Sequence, residues 1–211
     1  SYLRFPGGHL PNPADSSGRP SAPNRELFGA AYRVFPTPLG LEVVAGRRDW
    51  NTLLDPPPAP PRPSALPVVT SRNLESTRMA LLVSGPWQLF FHYGQLTASH
   101  HEAEALNYEA FYNSTDITHD PGTVGYGSPL YRSFYATALP HNVPIVDGEG
   151  QVGWDPGKLI AYDAKAGHVD ASQPHYRPNM SAERSLTIDG DTLHDTVSVN
   201  ATDGKSHTLG L

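Results

Sequence analysis

Residues 99–104 read Ser-His-His-Glu-Ala-Glu, the densest run in the chain of groups able to bind a metal or move a proton. Two more groups of that kind follow, Asp120 in His-Asp-Pro-Gly and His141 in Pro-His-Asn-Val. Carboxylates and imidazoles brought together from neighbouring strands suit Zn²⁺ or a similar divalent ion, which accepts both oxygen and nitrogen ligands. The spacing is not a compact ligand motif such as HExxH, so the same residues also read as solvated loop histidines and acids. Between Asp120 and Asp147 lie Tyr126, Tyr131, Arg132, Tyr135, His141 and Asn142. Tyrosine and histidine transfer protons when their surroundings tune their pKa values, and arginine and asparagine hold carboxylates. Tyrosines fill sandwich cores equally well, so each has a packing reading beside the chemical one.

The elements that must position these groups read as β-strands. In residues 106–112, Leu106, Tyr108, Ala110 and Tyr112 alternate with Asn107, Glu109 and Phe111, the period-two pattern of a strand. Extended backwards, that strand places His100, Glu102 and Glu104 on one face and His101 on the other. Residues 78–84 and 87–93 are apolar runs separated by Gly85-Pro86, a hairpin pattern. Residues 159–162 make another short strand. Leu186 and Ile188, the Asp189-Gly190 turn and residues 192–200 form a second hairpin. Asp203-Gly204 is a further turn, and residues 206–211 begin another strand. One short helix is expected over 25–32, capped by Asn24, and no long amphipathic helix stands out. Proline fills six of the nine positions of 55–63, DPPPAPPRP, which is expected to be an extended surface connector. The expected fold is all-β, an antiparallel β-sandwich. Because a strand is only beginning at residue 211, the sandwich is expected to be incomplete.

Composition narrows the classes. The chain has 211 residues with 38% hydrophobic and 17% charged, too apolar for a disordered segment, and contains no apolar run of membrane-spanning length. It has no cysteine, which removes disulfides, thiol catalysis and zinc–cysteine sites. A net charge of −6, with only 15 Lys and Arg and no basic run, argues against nucleic acid as a partner. No charged start followed by an apolar stretch marks a signal peptide. Asn113, Asn179 and Asn200 each begin an Asn-x-Ser/Thr tripeptide, read either as glycosylation sites of a secreted protein or as ordinary polar loop residues.

The segment 87–151 resembles the C-terminal domain of the heparinase II/III-like polysaccharide lyases, a family that includes several alginate lyases. That family shows HxHxDxxSFE, then D-P-G, Y-R-S, A-H-N, and V-D-G followed by Q. Here the order is His100-His101-Glu102-Ala103-Glu104 through Glu109, Asp120-Pro121-Gly122, Tyr131-Arg132-Ser133, Pro140-His141-Asn142, and Asp147-Gly148 with Gln151. Residues 184–208 resemble the strand pair that follows, and residues 11–16 the end of the family's helical toroid. The resemblance implies a two-part enzyme in which an (α/α) toroid carries most catalytic residues and a β-sandwich closes the cleft. It divides this chain into a junction, 1–32, and the first part of the sandwich, 33–211, with the N-terminal toroid domain missing. It implies β-elimination on a uronic acid, an acidic polysaccharide as partner, and a secreted or periplasmic location. The first histidine of HxH faces substrate in the family, which is His100 here; the second, the Asp of D-P-G and the His of A-H-N bind structural zinc. Asp120 and His141 match two of these ligands. The third position holds Glu102, which can ligate through oxygen, or His101 can substitute if the strand is bulged; the family's Asp appears as Glu104. The resulting assignment makes His100, Tyr131 and Tyr135 catalytic, gives His101, Arg132 and Asn142 to substrate binding, and Glu102, Asp120 and His141 to zinc. Two other readings are a non-catalytic carbohydrate-binding sandwich and a cupin-like metal enzyme suggested by Gly94, His100 and Glu102.

Overall fold

The computed structural model describes residues 3–16, 25–59, 63 and 65–211; the Asn24 cap and residues 60–62 of the proline run lie outside the described residues. The chain divides into two compact units, Ser1–Tyr2 with Ala22–Val69, and Leu3–Ser21 with Thr70–Leu211. The expected boundary between residues 32 and 33 is not where the chain divides. Residues 33–69 go with the first unit and residues 3–21 with the second.

The first unit contains α1 (Arg25–Ala31), where a helix was expected, and two that were not, α2 (Pro38–Ala45) and α3 (Trp50–Leu54). Both are short and are fixed at their starts. The Thr37 hydroxyl accepts from Gly40 N at 3.0 Å, with Pro38 in the first turn. Asp49 and Thr52 form a reciprocal capping box. These contacts satisfy N–H groups that a helix start leaves open.

The second unit is the sandwich. Its first sheet is an antiparallel meander of β1 (Arg72–Leu74), β2 (Met79–Ser84), β3 (Trp87–His92), β4 (Asn107–Tyr112) and β5 (Thr115–Thr118). A short pair joins β6 (Ile145–Val146) to β11 (Leu209–Gly210). The second sheet contains β7 (Lys158–Asp163), β8 (His168–Arg177), β9 (Met180–Asp189) and β10 (Thr192–Ala201), ordered β10-β9-β8-β7. Ala80, Leu82, Leu89 and Phe91 from the first sheet share one buried cluster with Val169, Ala171, Ala182 and Leu186 from the second. The fold is the expected antiparallel sandwich. Strand β8 was not foreseen because it contains Pro174; the β8–β9 register shifts between Gln173 and Arg177, a place where a residue without an N–H is tolerated.

Two segments bring chemistry to this scaffold. The first is the connection from β3 to β4, residues 93–106. It is a loop, not the backward extension of β4, because His100 (φ 61°) and Leu106 (φ 70°) take left-handed conformations that break strand alternation. The second is an N-terminal strap, residues 3–16. Phe5 stacks on Phe111 at 4.8 Å, Asn12 N donates to Glu109 Oε1 at 2.7 Å, and Ala14 N donates to Glu104 Oε1 at 2.7 Å. The strap passes over Gly122 (φ 64°), where a Cβ would lie 2.2 Å from Asn12 Nδ2 and 2.3 Å from Ser16 O. The glycine of Asp-Pro-Gly is therefore required both by its backbone angle and by the strap above it.

Candidate functional site

Loop, strap and the 120–142 segment converge on a buried acidic cluster. Glu104, Asp120 and His141 each offer a ligand atom, all within 4.8 Å of one another. His141 Nδ1 donates to Asp120 Oδ2 at 2.9 Å, and Asp120 also accepts from Asn107 Nδ2 and Gly122 N, each at 2.7 Å. Glu102 lies on the other side of the imidazole, its Oε2 3.7 Å from His141 Nε2. Both Glu102 oxygens are buried without a well-formed hydrogen bond, the Thr123 hydroxyl approaching without reaching bonding geometry. Glu104 Oε2 is likewise buried and faces His92 Nδ1 at 3.3 Å, outside hydrogen-bond geometry. The expected ligand set named Glu102; the triad found holds Glu104 instead, because the loop turns Glu104 inward beside Asp120.

Imidazoles are the basic groups facing these acids. No Lys or Arg pairs with Glu102, Glu104 or Asp120 among the described residues, apart from histidine contacts. Burial pushes the Glu102 carboxyl up to about 8. Burial works against a charged His141, yet Asp120, Glu104 and Glu102 around it outweigh burial and raise its pKa. Three inward carboxylates, two of them with unbonded oxygens, and the imidazole of His141, with His92 behind Glu104, are a donor set of the kind a divalent cation takes, so these residues fit the zinc that the resemblance implies.

The frame of the cluster was not legible from spacing. The Arg184 guanidinium, 2% exposed, donates to Leu106 O at 2.7 Å, to Asn142 Oδ1 at 2.9 Å and to Asn142 O. Its other edge forms a two-bond pair with Asp195 at 2.8 and 2.6 Å. One buried cation thus ties the end of the 93–106 loop to the residue after His141. Asn142, expected to bind substrate, is consumed by this frame: its Nδ2 donates to Tyr108 O at 2.7 Å and Thr118 Oγ1 at 3.1 Å.

His100 stands apart from the cluster it was expected to share a face with. Its side chain is 67% exposed, whereas Glu102 and Glu104 are buried. Nδ1 meets Asp15 Oδ2 at 2.7 Å and the Tyr126 hydroxyl at 2.8 Å, and Tyr126 packs edge-on against Tyr131 with centroids 4.9 Å apart. Tyr131, Arg132 and Tyr135 lie on one π-helical turn, Tyr131–Tyr135. Tyr135 enters the cluster only through its carbonyl, 3.2 Å from His141 Nε2, and Arg132 is exposed, with no ion pair among the described residues. The half-buried His101 donates from Nδ1 to Ala98 O at 2.8 Å. A pocket of about 180 Å³, lined by His100, His101, His92, Glu104 and Pro13 among others, separates the exposed histidine from the buried acids. Gly94 does not belong to a metal-barrel motif: a Cβ there would sit 1.9 Å from Pro156 O, so the glycine serves backbone packing.

Comparison with known proteins places this geometry. Residues 68–204, well over half of the chain, match the family model described as heparinase II/III-like, C-terminal. Among solved structures, a heparinase III with methylated lysines superposes with a TM-score of 0.67 at 17% identity, covering 96% of this chain and 33% of that one. A mutant heparan sulfate lyase HepC from Pedobacter heparinus gives 0.64 at 15% identity, over 92% of this chain and 30% of that one. The chain thus spans about a third of the length of these structures. Comparison with curated protein sequences gave no match. The similarity to the solved structures is one of fold, and the family model carries the assignment: this chain belongs to the heparinase II/III-like C-terminal family.

Proposed function

We propose that this chain supplies the sandwich side of the cleft of a polysaccharide lyase that cleaves uronic-acid-containing glycans by β-elimination. The observation that carries the reading is an exposed histidine, His100, held beside a buried acid–imidazole cluster in a fold of this family. In such a reaction a base takes the C5 proton, its electron pair forms the C4–C5 double bond, and the C4–O bond breaks as the leaving oxygen is protonated. The adjacent carboxylate resists added negative charge, so it must be neutralised for the enolate to form. His100 and the exposed Arg132 are the groups available for that carboxylate, and Tyr131 offers a phenol nearby. Tyr126 is not the base: its hydrogen bond to Asp15 holds its proton and pushes its pKa to about 12. The proton-transfer partners are assigned to an N-terminal helical toroid domain of a longer protein.

Glu104, Asp120 and His141, with Glu102 beside them, would hold the zinc, which would supply positive charge to the buried acids. The three sequon asparagines are exposed, Asn113 and Asn179 at turns, which supports a secreted or periplasmic glycoprotein. The test is to incubate the full-length protein with alginate, glucuronan and heparan-type polymers and follow absorbance of the unsaturated product. Silence on all of them overturns the lyase reading, and binding without product assigns a non-catalytic glycan-binding role. Elemental analysis of the purified protein decides for or against zinc.

A further inference from the structure

The contacts of His100 assign a role to two residues that no motif singles out. Asp15 comes from the strap, His100 from the 93–106 loop and Tyr126 from the segment after Gly122. Asp15 Oδ2 lies 2.7 Å from His100 Nδ1, and the Tyr126 hydroxyl lies 2.8 Å from the same nitrogen while donating its own proton to Asp15 Oδ2. The phenol's only hydrogen is spent on Asp15, so toward His100 the phenol oxygen and the carboxylate oxygen are both acceptors. Nδ1 must therefore carry a proton. The Asp15 side chain is only 13% exposed and pairs with no other cation among the described residues. The imidazole above it is largely exposed and sits on backbone at φ 61°, a left-handed conformation that persists where surrounding contacts hold it.

We propose that Asp15, locked by Tyr126, is a positioning residue that fixes the Nδ1–H form of His100, so that every proton or hydrogen bond His100 exchanges with a glycan passes through Nε2. This rests on the lyase reading for its catalytic consequence but not for its geometry. A carboxylate behind a histidine sets tautomer and orientation without itself changing protonation. Asp15 Oδ2 takes both contacts, so Asp15→Ala removes the shared acceptor and frees the Tyr126 hydroxyl to donate to Nδ1. Nδ1 then becomes the acceptor and the proton moves to Nε2.

The experiment is ¹⁵N NMR of the protein labelled on histidine, with His100 assigned by the signal lost in His100→Gln. The expected result is a proton on Nδ1 in the wild type, its transfer to Nε2 in Asp15→Ala, and an unchanged melting temperature. In the full-length enzyme the same substitution lowers kcat by ~10²-fold or more with KM little moved. A wild-type His100 protonated on Nε2, or a tautomer unmoved by Asp15→Ala, overturns the proposal. Should Asp15→Ala not fold, the wild-type spectrum decides alone. The spectrum needs no turnover: a locked tautomer in a protein that cleaves no uronate polymer sinks the lyase reading and leaves this inference standing, and an active lyase with an unlocked tautomer does the reverse.

Discussion

Two histidine–aspartate pairs adjoin the same 93–106 loop and differ mainly in burial. His141 and Asp120 are 2.9 Å apart with both side chains fully enclosed; His100 and Asp15 are 2.7 Å apart with the imidazole 67% exposed. Contact distance is therefore not what distinguishes the two pairs. Within the protein the charges of His141 and Asp120 have no water to fall back on, so each depends on the other and on the acids around them. At the surface, water solvates His100 whatever Asp15 does, and the pair adds orientation more than stability.

The sharpest break of this contrast is His141→Ala. It leaves Asp120 buried without its imidazole and strips the histidine contact from Glu102, an expected loss of about 3–5 kcal/mol in denaturant unfolding. If a metal is held there, a chelator lowers the wild-type melting temperature and leaves that of the variant unmoved. A loss under about 1 kcal/mol would place His141 with the exposed pair and erase the distinction.

Arg184→Met follows. It removes the donor shared by Leu106 and Asn142, but Asp195, with a side chain 20% exposed, can hydrate in the variant. The expected loss is smaller, about 2–3 kcal/mol, and amide exchange should speed up at Leu106 and Asn107 as the loop end loosens. Unchanged exchange there would mean that the guanidinium braces β9 and β10 and not the site.

What the sequence foretold tracks the range of the interactions involved. The β2–β3 and β9–β10 hairpins were legible because alternation and an Asp-Gly turn are local signals, and β9 alternates buried and less buried positions along its whole length. Strand β8 was hidden by Pro174, and α2 and α3 are too short for a periodic pattern to emerge. In the site, Asp120 and His141 were named from residue type and order, and the structure joins them. Glu104 was passed over for Glu102 because Glu102 stands at the second histidine of the family's HxH and Glu104 at its Asp, whereas the loop turns Glu104 to Asp120 and His141. Asp15 and Arg184 had no signal at all: their partners lie 85 and 78 residues away, and no short spacing encodes such a contact.

His100→Ala should then separate stability from turnover. Removing an exposed side chain from a strained left-handed position is expected to change stability by less than about 0.5 kcal/mol. Turnover of the full-length enzyme should fall ~10²-fold or more. Equal losses in both would make His100 another structural histidine and collapse the contrast from the other side.

A third arrangement lies between the two and gives the smallest effect. His207, with a side chain 15% exposed, bridges Asp147 Oδ2 at 2.7 Å and Asp203 Oδ1 at 3.0 Å, where β11 returns to β6. Its hydrogen bonds to Asp147 and then Asp203 raise its pKa above the usual 6.5. The same contacts, with backbone donors Thr208 and Lys205 and the charges of Arg177 and Lys205, hold the two carboxyls below their usual 3.8. The signs then follow from linkage. The histidine's contribution is complete below pH 6.5 and is lost as pH rises through its raised value. The carboxylates' contribution is complete above pH 3.8 and is lost as pH falls through their lowered values. The β6–β11 pairing should therefore be tightest between these limits. Protection of the Asp147 amide, which donates to Thr208 O at 2.9 Å, should decline above pH 6.5 once intrinsic exchange rates are divided out. His207→Gln keeps a polar side chain but cannot titrate, so it should flatten that decline. A decline that persists in the variant would assign the pH response to another group and leave burial, not the histidine–aspartate contact, as the whole difference between the pairs.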